Sequence, residues 1–119
     1  MSGLPSSLPG VDVASGLARV AGNAKLYLKL LRQVASDAPN IKEQLSTVLV
    51  EGNALKVREV AHSLKGAAGN LSIIKVAEAA QRLEQAAKAE DFVNMLSHLD
   101  HLEEALGEYV SVVNGLDIG

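Results

Sequence analysis

The hydrophobic positions of this chain fall at steps of three and four over most of its length, the spacing of one face of an α-helix. The longest stripe runs through Tyr27, Leu30, Leu31, Val34, Ala38, Ile41, Leu45 and Val48. It passes through Pro39, so it predicts either one long kinked helix or two abutting helices with Asp37 capping the second. Asp12 can cap a short helix over 13–20 before it, and Gly22-Asn23 breaks and re-caps the chain near residue 24. Gly52 ends the long segment, and Asn53 caps a helix over 54–70. Ser72 is expected to cap the next, over 73–89, with Ile73, Val76, Ala80, Leu83 and Ala87 inward. Asp91 caps the last, over 92–114, whose seam is Met95, Leu99, Leu102, Leu106, Tyr109 and Val113. No strand alternation and no internal repeat competes. The pattern predicts an all-α protein: an antiparallel four-helix bundle with a short additional N-terminal helix.

Pro5, Pro9, Gly3, Gly10 and three serines mark residues 1–10 as a linker or tail, leaving 11–116 as the domain. The final NGLDIG is expected to fray. The hydrophobic share is 48%, enough for a core, yet aromatics are only 3%, so that core is built from Leu, Val, Ile and Ala. There is no cysteine, which excludes a disulfide framework and thiolate metal ligation and suits a reducing cytoplasm. The net charge is −3 and no basic block occurs, which argues against nucleic acid as a partner. No secretory signal or membrane-length apolar run is present, so direct membrane contact is not expected.

The helix over 54–70 carries the candidate chemistry. At about 100° per residue, Val57, Val60, Leu64, Ala67, Ala68 and Leu71 form its expected buried face. His62 then lies opposite, toward solvent, with Lys65, Gly66 and Gly69 above it and Arg58, Glu59 and Leu55 below. A glycine inside a helix costs about 1 kcal/mol relative to alanine. Gly69 next to Asn70 can be a helix cap, but Gly66 cannot. A docking partner needing close backbone approach over His62 accounts for both. A cation one turn from an imidazole fits an imidazole that carries a phosphoryl group, whose oxygens need neutralisation. A lone exposed histidine is ordinarily inert; the stripe of His, Lys, Gly and Gly is what points to function.

The segment AHSLKGAAGNLS, residues 61–72, resembles the signature of histidine-containing phosphotransfer (HPt) domains: His62, Leu64, Lys65, Gly66, Gly69, Asn70 and Leu71 match. Ser72 departs from it, standing where the family usually has glycine. The upstream LPGVDVASGLARVAGN and the Tyr-Leu helix after it are similar to the start of HPt modules at the C-terminus of hybrid sensor histidine kinases. The resemblance implies a phosphorelay carrier without kinase activity of its own, either free-standing or a fragment of such a kinase. A receiver domain's phosphoaspartate would be attacked by one nitrogen of His62, normally Nε2, and the phosphoryl group passed to a second receiver. Mg²⁺ would belong to the receiver, and this chain would need no cofactor. The expected partners are response-regulator receiver domains, the expected state a monomer, and the location cytoplasmic, including the cytoplasmic part of a membrane-bound kinase.

If one nitrogen attacks, the other carries the hydrogen and needs an acceptor. In the family an acceptor from the following helix often sits at the spacing that Glu84 has here, with glutamine commoner. A carboxylate would hold the Nδ1 hydrogen more strongly than an amide. The competing arrangement is a solvated Glu84–Lys88 pair at i,i+4. Leu55, Arg58, Gly66, Gly69 and Lys88 are the expected receiver-docking residues. His98 and His101 begin a metal pattern, but only Glu104 is near them, so no metal site is expected. The alternatives are a helical interaction module with an inert His62, a metal-binding bundle, which lacks the paired Glu-x-x-His motifs, and a kinase dimerisation helix pair, which needs fewer helices per chain.

Overall fold

A computed structural model describes residues 4–116. Five helices follow in order: α1 (Val13–Arg19), α2 (Ala24–Val50), α3 (Ala54–Asn70), α4 (Ile74–Lys88) and α5 (Phe92–Asn114). Helices α2 to α5 form the bundle, with α3 packed most extensively on α4, and α4 on α5. Short α1 lies against α2. The anticipated caps form at four of the five starts: Asp12, Asn23, Asn53 and Asp91 each accept from the backbone N–H three residues on.

The long stripe resolves into a single helix. α2 continues through Pro39, and Asp37 accepts a hydrogen bond from Gln33 instead of capping a new helix. Residues on both sides of the proline reach the same core, Val34, Ala35 and Ala38 before it and Leu45 and Leu49 after it. Gly52 then leaves with φ +71°, a left-handed turn that glycine adopts freely. The α5 seam is buried at all six expected positions.

Ser72 does not cap α4. Its φ is +57°, and its hydroxyl donates to Ser15 Oγ at 3.0 Å while Ile73 takes the N-cap position without a side-chain bond. The turn is held from outside by Tyr27, whose hydroxyl donates to Leu71 O at 2.6 Å, and by Asp12 N–H donating to Ser72 O at 2.9 Å. Gly16 makes this possible, because a Cβ there would collide with the Tyr27 ring. Across the bundle Tyr109 donates to Leu31 O at 2.6 Å. The chain also docks before residue 11: Leu8 is buried and Gly10 O accepts from Lys75 N–H. Of the expected tail, residues 1–3 lie outside the described residues, as do the last three of the expected C-terminal fray.

The α3 face is rotated from expectation. Its buried residues are Ala54, Val57, Ala61, Leu64 and Ala68. Ala67 is exposed and Val60 half-buried, both lining an open groove between α2 and α3, while Ala61 is fully buried. The inward arc is centred toward α4 because α3 meets α4 more closely than α2. His62 therefore sits beside the α3–α4 interface rather than diametrically opposite the core.

Candidate functional site

That rotation brings His62 over α4. Its side chain is 67% exposed, yet Nδ1 lies 2.7 Å from Glu84 Oε2. The other carboxylate oxygen, Oε1, lies 2.7 Å from Lys65 Nζ, one turn further along α3. Glu84 is itself only 8% exposed, so one nearly buried carboxylate bridges two side chains of the neighbouring helix. The Lys65 ammonium hydrogen bond holds the Glu84 carboxyl below its usual range; burial opposes this, and the hydrogen bond with His62 adds to it. An ionised carboxylate can only accept. Nδ1 therefore donates to it, and in the neutral ring that arrangement leaves the lone pair on Nε2.

Around this triad runs a shallow groove between α3 and α4, lined by Leu55, Arg58, Glu59, His62, Lys65, Gln81, Glu84, Gln85 and Lys88. Lys88 is exposed and does not pair with Glu84; the pairing at i,i+4 gives way to the cross-helix contacts. Lys65 is more enclosed than a solvent-facing charge, at 34% side-chain exposure. Leu55 is 61% exposed on the same face. A Cβ built on Gly66 or Gly69 would meet no other atom within 4 Å, so packing within this chain requires neither glycine. Glu59 pairs at 3.6 Å with Lys56.

His98 and His101 have ring centroids 6.2 Å apart, and His98 Nδ1 is buried without a hydrogen-bond partner. No group of three residues able to ligate a metal occurs among the described residues. No helix of the described residues is long and apolar enough to cross a membrane.

A mostly exposed imidazole with one nitrogen engaged, a cation one turn away and two glycines above it thus share one face of a helical bundle. The Hpt domain family model matches residues 29–111, and the chain belongs to that family. HPt domains are phosphocarriers rather than kinases and interact with the receiver domains of response regulators in phosphorelays. The fold is also that of a solved structure, histidine-containing phosphotransfer protein B (HptB) from Pseudomonas aeruginosa PAO1, with TM-score 0.80, 21% identity, and coverage of 91% of this chain and 94% of that one. No curated protein matches the chain.

Proposed function

We propose that this domain accepts a phosphoryl group on His62 Nε2 from a receiver aspartate and passes it to the aspartate of another receiver. The observation that carries this reading is the Glu84 contact on Nδ1, which favours the tautomer in which Nε2 is the nucleophile. Lys65, tethered at Glu84 within the same groove, supplies the positive point charge that neutralises the incoming phosphoryl oxygens. The receiver docks over Leu55, Arg58, Gly66, Gly69 and Lys88. The two glycines let its backbone approach, and the cations meet its acidic phosphorylation site. Mg²⁺ is supplied by the receiver; the domain works as a monomer in the cytoplasm with no cofactor of its own.

The test is incubation with a phosphorylated receiver domain. Acid-labile label should appear on the domain and vanish in His62→Gln, and ATP alone should give none. Stable receiver binding without label would favour the alternative, an interaction module with an inert His62.

A further inference from the structure

The Glu84 contact bears on the second half of the relay as well as the first. We infer that the Glu84 carboxylate keeps the phosphorylated His62 ring protonated on Nδ1, and so makes it a competent phosphoryl donor over a wider range of pH. The inference rests on His62 being the carrier residue. When phosphate leaves, a carboxylate oxygen of the receiver aspartate bonds to phosphorus as the P–Nε2 bond breaks. The bonding pair returns to Nε2. If Nδ1 holds its hydrogen, the ring departs as neutral imidazole. If Nδ1 has lost it, the ring must depart as the imidazolate anion, a far stronger base and a far poorer leaving group. Donor strength therefore follows the proton on Nδ1, the atom that Glu84 touches at 2.7 Å.

The charged groups facing the ring are Arg58, Glu59 and Lys65 from α3 and Glu84 and Lys88 from α4. The three cations disfavour a proton on the phosphorylated ring. Glu59 is committed to Lys56 at 3.6 Å, so Glu84 is the carboxylate that opposes them. It is enclosed enough for its charge to act with little screening. Lys65 shares that carboxylate and so weakens its hold on Nδ1. The two contacts predict shifts of opposite sign.

The experiment loads the purified domain with phosphoramidate and follows the ³¹P resonance of the phosphorylated domain against pH, together with its rate of hydrolysis. In Glu84→Gln, which keeps the shape of the side chain, the titration midpoint and the fall in hydrolysis rate should move to lower pH by about one unit or more, the scale for an opposite charge at hydrogen-bond distance. In Lys65→Ala both should move to higher pH. Midpoints unchanged in Glu84→Gln, with label on His62, would overturn this inference and leave the carrier reading standing. No label on His62 in the unaltered domain would overturn both.

Discussion

The molecule has histidines in two regions, and their surroundings differ. His98 and His101 share one helix and lie 6.2 Å apart, with no carboxylate from a second helix joining them into a site. His62 is met from the neighbouring helix by a nearly buried carboxylate that also holds a lysine. The imidazoles are chemically alike. A partner on a different helix is what engages one ring nitrogen and leaves the other open, and among the described residues α3 and α4 provide that arrangement for His62.

The sharpest test of that contrast is removal of each ring in turn. His62→Gln should abolish phosphorylation with an unfolding midpoint close to that of the parent, because the side chain is mostly exposed. His98→Gln and His101→Gln should label normally. Loss of label in either of these would mean that the α5 pair takes part in transfer.

The next largest effects concern glycines. Gly66→Gln should stabilise the domain by about 1 kcal/mol through helix propensity and yet block transfer, as read by denaturant unfolding beside a transfer assay. Gly16→Ala should do the reverse, costing about 1–3 kcal/mol through the collision with Tyr27 while leaving the folded fraction able to transfer. Normal transfer in Gly66→Gln would show that the open space above that glycine is not used for docking.

Lys65→Ala should slow transfer measurably, with a stability cost below about 1 kcal/mol, as for most partly exposed ion pairs. A normal rate would remove Lys65 from the mechanism and leave it a structural partner of Glu84. The smallest effect is in acid. The Glu84 carboxyl is held below its usual value of 4.5 in the folded domain. Its stabilisation is present above that value and is lost as pH falls through the lower folded value. Unfolding followed from neutral pH down into that range should show a steeper loss for the parent than for Glu84→Gln. Parallel curves would mean that the bridge to His62 and Lys65 contributes nothing to stability.

The Ser72 turn shows where sequence reading stopped short. Serine after Leu71 looks like a helix cap, because serine commonly caps helices. In the structure it takes a left-handed φ of +57°, a conformation that glycine reaches at less cost, and this accounts for the glycine usual in the family. The strain, on the order of 1 kcal/mol, is offset by contacts to this turn from Ser15, Asp12 and Tyr27, residues 44 or more positions away along the chain. Local sequence carries no trace of such partners.

What the sequence determined by itself is what local rules control: the helical segments and their ends away from Pro39, four of the five caps, the α5 seam, and the stripe of His62, Lys65, Gly66 and Gly69. Period, capping and propensity act within a few residues and can be read along one strand of text. The tertiary structure decided the continuity of α2 through Pro39, the turn of α3 that buries Ala61 and exposes Ala67, and the choice of His62 and Lys65 over Lys88 as partners of Glu84. Each depends on how one helix is rotated against another. That angle is set by the summed packing of the whole interface, and a few tens of degrees separate a surface carboxylate from one that holds the His62 imidazole.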